Sequence, residues 1–191
     1  MRIPGDSSPA SVASDPPAEP EPPERLALTL VEEDGDWSGF GPLEEAAHQA
    51  AAALAQYPRV PLAPGSEVSV VLGSDALVRR LNSTYRGKDT ATNVLSFPFQ
   101  KPPGVGAGDG AYLGDVVLAA ETMRREADER AIERRHHLQH LVIHGLLHLL
   151  GYDHETDSQA EEMERLEIEV LATIGVPDPY AAQGRCVKNC Q

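Results

Sequence analysis

The feature that most constrains this chain is the run from His144 to His154, which reads His-Gly-Leu-Leu-His-Leu-Leu-Gly-Tyr-Asp-His. Its density of leucine predicts the end of a buried helix, running from roughly Ile132 to Leu150 and apolar on nearly all sides towards its end. Side chains four apart on a helix lie one above the other, so His144 and His148 can share one ion. Gly151 can end the helix in a left-handed conformation. The chain can then fold back and bring His154 to the same point. Three neutral nitrogen ligands with a fourth position open describe a catalytic rather than a structural zinc site. A cation held that way lowers the pKa of bound water to roughly 7. The expected cofactor is one Zn2+ ion on His144, His148 and His154, although imidazole also suits nickel, copper and iron. His136 and His140 continue the ladder upstream but have no nearby turn to supply a third ligand. His140 is read as a group that supports a ligand, and His136 and His137 as surface residues.

The spacing also matches the metzincin protease pattern, H-E-x-x-H-x-x-G-x-x-H. Those proteases place a glutamate general base at the second position, where this chain has Gly145. Glycine accepts no proton, so a peptidase is the disfavoured alternative.

Around this helix the periodicities predict an α+β protein. Strands are expected at Leu26–Val31, Glu67–Leu72, Val94–Phe97 and Tyr112–Ala119, the third stopped by Pro98. Helices are expected at Leu43–Gln56, after a Ser74 or Asp75 cap, from about Ala120, and from about Ser158 to Ile174. The expected architecture is one domain over 25–180: a four-stranded mixed sheet and about five helices, packed around the helix that carries the ligands. Residues 1–24, dense in Pro, Ser, Ala and acids, read as a disordered tail. Residues 101–110, with two Pro and four Gly, read as a mobile loop, and 181–191 as a flexible C-terminal tail.

The formal net charge is −14, of which the body between the tails keeps −12, and this weighs against a general nucleic-acid binder. Any RNA must meet a local basic lip, for which Arg79, Arg80, Arg86 and Lys88 are the candidates. Arg124, Arg125, Arg130, Arg134 and Arg135 alternate with acids and read instead as a solvated face with internal pairs. Tyr85 can be read equally as a base-stacking platform or as a lid on the core. No apolar run approaches the roughly 20 residues of a membrane span, and the first residues show no secretory pattern. Cys186 and Cys190, both near the C-terminus, build no disulfide framework, which fits a reducing cytoplasm. Neither is expected to have a function.

Two further blocks stand beside the histidine segment: Arg80-Leu-Asn-Ser-Thr-Tyr-Arg-Gly-Lys-Asp89, followed by Thr92-Asn-Val-Leu-Ser-Phe-Pro98, and Leu113-Gly-Asp-Val-Val-Leu-Ala119. In this order they resemble the YbeY family, bacterial metal-dependent endoribonucleases that mature ribosomal RNA. The resemblance covers most of residues 77–155 and is silent on both tails. It implies single-strand-specific RNA cleavage in maturing the 3′ end of small-subunit ribosomal RNA and in removing defective ribosomes. Ribosomal RNA and ribosomal particles would then be the partners, with no membrane. It also implies zinc on the three motif histidines, with Arg86 standing where the family has an arginine implicated in catalysis. Arg86 and His144 are therefore the expected catalytic residues. A guanidinium fork suits phosphate oxygens, whereas the plainer reading of Arg86 is a surface arginine near a helix end. Asp115 or Asp153 can orient a ligand imidazole or a water, with capping and turn roles as the alternatives. A non-catalytic ribosome assembly factor is the remaining alternative.

Overall fold

The computed structural model describes residues 25–100 and 111–181. The expectations for 1–24, 101–110 and for Cys186 and Cys190 lie outside them. Along the chain run β1 (Leu26–Glu32), α1 (Leu43–Gln56), β2 (Ser66–Gly73), α2 (Asp75–Arg86), β3 (Val94–Pro98) and β4 (Tyr112–Ala119). Three helices complete the order: α3 (Ala120–Glu129), α4 (Arg134–Leu149) and α5 (Asp157–Thr173). The sheet order is β1-β2-β4-β3; β1, β2 and β4 are parallel and β3 runs antiparallel against β4. The mixed sheet and five helices match the architecture read from sequence. Pro98 is tolerated because β3 is an edge strand and needs no second row of ladder donors.

Both faces of the sheet are apolar, and they differ in what covers them. Val68, Val70, Leu72, Val116 and Leu118 point to the main core with α4, while Leu95, Val117 and Ala119 meet Val78 of α2. From α4, Leu138, Val142, Ile143, Leu146 and Leu147 are all fully enclosed. Each such side chain contributes about 1.5–3 kcal/mol through burial, so the helix bearing the histidines is the best-anchored element of the fold.

Two reciprocal caps fix the helices that frame this core. Ser74 caps α2 by accepting from Leu77 N, while Asp75 caps a different helix: its carboxylate accepts from Thr122 N and Oγ1 at the start of α3. Glu121 returns the favour by accepting from Asp75 N at 2.7 Å. Thr156 and Gln159 form a capping box that starts α5.

Gly145 is where α4 comes closest to the sheet. A Cβ there would stand 2.5 Å from Val116 Cγ1 and 3.3 Å from Ser96 Oγ. The Gly145 carbonyl accepts from that same Ser96 hydroxyl at 3.1 Å. The missing glutamate of the protease pattern is thus also a missing side chain that the packing has no room for. Among the described residues, no helix is long and apolar enough to cross a membrane.

Candidate metal centre

The helix end that closes the site follows from Gly151. With φ at +90° it lets Gly151 N–H return to His148 O, and Tyr152 N–H to Leu147 O. These are the paired bonds of a Schellman ending. Asp153 then steadies the turn by accepting from His154 N at 2.8 Å. The ring of His154 arrives 5.0 Å from that of His148 and 5.6 Å from that of His144, centroid to centroid. One nitrogen from each of the three rings lies within 4.8 Å of the other two.

The hydrogen bonds fix which nitrogens face inward. His148 Nδ1 meets the Tyr152 carbonyl at 3.0 Å, and His144 Nδ1 meets Glu167 Oε1 at 2.8 Å. A carbonyl and a carboxylate can only accept, so both Nδ1 atoms carry the proton. In the neutral rings both Nε2 atoms then present lone pairs, and they face each other across 3.1 Å. Two lone pairs at that distance repel unless a proton or a metal ion stands between them, and with His154 alongside the donor set fits a bound metal ion. Burial lowers the pKa of His148, and the neighbouring His144 and His154 lower it further, which favours the ligating neutral form.

Behind the ligands stands a residue the sequence reading missed. Glu167, from α5, has no solvent exposure. Its Oε1 takes His144, while its Oε2 takes His140 Nε2 at 2.9 Å and the Tyr180 hydroxyl. Burial pushes this carboxyl up, but hydrogen bonds from His140 and His144 outweigh it and hold it at about 2. Burial, and then Glu167 itself, push the Tyr180 phenol strongly upward, so it stays a donor. The signal in the sequence was an acid on an apolar helix face, between Met163, Leu166 and Val170. His140, His144 and Glu167 also form a compact group, but its short contacts are hydrogen bonds already satisfied, and it serves to orient the His144 ring.

The other predicted residues divide. His140 sits where a supporting group was expected. His137 was expected on the surface and is instead 1% exposed, because α4 is enclosed on that side by α3 and its ring meets Glu126. His136 stays partly exposed beside Glu133. Asp115 is not at the histidines: it lies on the α2 face of the sheet and accepts from the Tyr112 hydroxyl at 2.7 Å. Asp153 does line the cleft, in the turn role just given.

The three rings open into a cleft of about 570 Å³, and Arg86, Thr92 and Asn93 line it with them. Arg86 is the last residue of α2, exposed, with one guanidinium nitrogen 3.5 Å from Ser96 O. That contact is long and weak, which leaves the fork available for an anion. Of the basic lip, Arg79 is committed to Asp89 by two bonds of 2.7 Å. Arg134 pairs within the run, with Asp128, but Arg124 and Arg135 reach Asp36 and Glu45 of other segments, so the expected face of internal pairs instead ties α3 and α4 to the N-terminal part of the domain. Tyr85 is 68% exposed, with its ring in an edge contact with that of Phe97, so it is no lid on the core.

Fold and site together define a class: an α+β protein with three converging histidines, a candidate metal centre, in a cleft that Arg86 also lines. The sequence profile of the family described as Endoribonuclease YbeY matches residues 41–175. The chain is 52% identical over 152 residues to the endoribonuclease YbeY of Bradyrhizobium sp. strain BTAi1, covering 78% of this chain and 89% of that one. It is 58% identical over 118 residues to the endoribonuclease YbeY of Bradyrhizobium diazoefficiens, covering 61% of this chain and 64% of that one. The solution structure of TM1509 from Thermotoga maritima is similar at 25% identity and a TM-score of 0.47, over 78% of this chain and 91% of that one. This chain belongs to the YbeY family of endoribonucleases.

Proposed function

We propose that residues 25–180 form a zinc-dependent endoribonuclease that cuts single-stranded RNA in the cytoplasm. Its substrate would be the 3′ region of small-subunit ribosomal RNA, both in maturation and in the removal of defective ribosomal particles. The observation that carries this reading is the convergence of three imidazoles, two of them with their protons directed away by Glu167 and the Tyr152 carbonyl, in one cleft with Arg86, whose fork makes only a long contact. Family membership supports the endonuclease class and RNA as substrate.

His144, His148 and His154 would hold the ion, and Glu167 and the Tyr152 carbonyl fix the ring tautomers that ligation needs. A bound divalent cation supplies Lewis acidity toward a phosphoryl oxygen and acidifies water. Arg86 offers its fork to the non-bridging phosphate oxygens and counters the charge that grows on them during displacement. The enclosed Glu167 network keeps the His144 ring from swinging, so the donor set is organised before substrate arrives. The exposed Arg80 and Lys88 extend the positive lip along which a single strand can lie.

Incubation of zinc-loaded protein with single-stranded RNA tests the reading. Wild type should cleave, chelation should stop cleavage, and His148→Ala should lose cleavage while remaining folded. Metal-loaded wild type that leaves single-stranded RNA intact would rule the reading out. If His148→Ala still supported ribosomal RNA maturation in cells, the role would be scaffolding rather than catalysis.

A further inference from the structure

The wall of the cleft facing the histidines contains a side chain whose orientation is dictated from outside. Asn93 Nδ2 donates to Glu126 Oε2 at 3.0 Å, and the same oxygen takes His137 Nε2 at 2.9 Å. Glu126 belongs to α3 and lies outside the cleft; His137 belongs to α4, the helix that carries His144 and His148. The Asn93 backbone is pinned as well, its carbonyl accepting from Ala119 N at 2.9 Å. Asn82 secures the preceding loop by donating to Thr90 O at 2.8 Å.

Burial raises the Glu126 carboxyl, but the hydrogen bonds from His137 and Asn93 outweigh it and hold it below the usual range, so it is ionised. An ionised carboxylate has no proton to give, and the amide nitrogen must be the group that faces it. That leaves Oδ1, which accepts a long bond of 3.4 Å from the Thr92 hydroxyl and keeps a second lone pair, as the amide atom that can accept from a ligand in the cleft. The Glu126 contact thus fixes the amide oxygen, rather than the amide nitrogen, as the Asn93 acceptor presented toward the cleft. A site with a fixed acceptor favours a ligand that brings a donor, and an analogue lacking it leaves the acceptor desolvated and unpaired.

We propose that Asn93 is a specificity-determining residue that accepts a hydrogen bond from a donor on the bound nucleotide, either the ribose 2′-hydroxyl or a base amino group. The proposal rests on the reading of the cleft as an RNA site. The 2′-hydroxyl is the donor that separates RNA from DNA. Glu126 and His137 are positioning residues: they touch no substrate and act by holding the amide one way round.

The test uses the zinc-loaded full chain and a single-stranded oligoribonucleotide with one cleavage site. Variants of the substrate replace single 2′-hydroxyls by hydrogen, or remove single base amino groups by using inosine or purine riboside. Wild type should lose about 10-fold or more in kcat/KM on one of these substitutions, and its position and kind identify the donor. Asn93→Ala should lose as much on intact RNA and nothing further on the substrate that lacks that donor. Glu126→Gln keeps an acceptor oxygen for the amide and should keep the discrimination; Glu126→Leu should abolish it even if Asn93→Ala proves poorly folded. An Asn93→Ala loss uniform across all substrates would make the residue merely structural and overturn the proposal. So would a wild type indifferent to every substitution. Wild type that cleaves no RNA at all would overturn the reading of the cleft and this proposal with it.

Discussion

Gly145→Ala isolates the close approach of α4 to the sheet. In an exposed helix interior, alanine is better than glycine by about 0.8–1.0 kcal/mol, so simple propensity predicts a more stable protein. Here the new Cβ would lie 2.5 Å from Val116 Cγ1 and 3.0 Å from Cγ2. Val116 is wholly buried in a central strand, and its β-branched side chain has no easy alternative rotamer. Overpacking of this kind costs about 1–3 kcal/mol. The two terms together predict a net loss of about 1 kcal/mol and a fall in Tm of about 2–4 °C. Urea and thermal unfolding of Gly145→Ala, Val116→Ala and the double variant measure it. Removing the γ carbons should relieve the clash, so the double variant should be more stable than the sum of the singles by about 1 kcal/mol or more. A Gly145→Ala protein stabilised by its full helix propensity, with no coupling to Val116, would refute the argument. It would also reopen the position to the glutamate of the protease pattern.

Three other outcomes follow from named contacts. Glu167→Gln replaces one acceptor oxygen by an NH2 group, leaving His144, or the pair His140 and Tyr180, without an acceptor; zinc affinity should fall about 10–100-fold, and unchanged affinity in a competition titration would count against the orienting role. Arg86→Lys keeps the charge but loses the fork, and should cut kcat for RNA by about 100-fold with little effect on unfolding, since Arg86 is exposed; a shift in Tm with kcat intact would reverse that assignment. The folded pKa of Glu126 is depressed, so its contribution to stability is present above the ordinary carboxylate value of 4.5 and is lost as pH falls through the folded value. Glu126→Gln should therefore flatten the acid limb of stability against pH, and an unchanged limb would show that this group does not govern it.

The strands and helices were legible because their apolar residues recur with the right periods, and the convergence of three histidines because an i, i+4 pair, a helix-stopping glycine and a third histidine lie within eleven consecutive residues. What escaped was long-range. Glu167 reaches His144 only because α5 packs against α4, and nothing local to either helix states which turn will meet which. His137 was misplaced because α4 is buried on most of its circumference, so it carries little amphipathic asymmetry from which an inside could be read. Asp115 drew notice through the Leu113–Ala119 block, as a group to orient an imidazole or a water; β4 is apolar on both faces, so alternation does not say which parity looks toward α4.

Cobalt(II) titration of metal-free protein asks directly whether the three imidazoles share one ion. One equivalent should bind with the absorption of a tetrahedral, nitrogen-rich site. His148→Ala and His154→Ala should both abolish that spectrum, while Glu167→Gln should only weaken binding. If His154→Ala bound cobalt unchanged and Glu167→Gln did not bind it, the ion would sit with His140, His144 and Glu167, and the centre described above would be wrong.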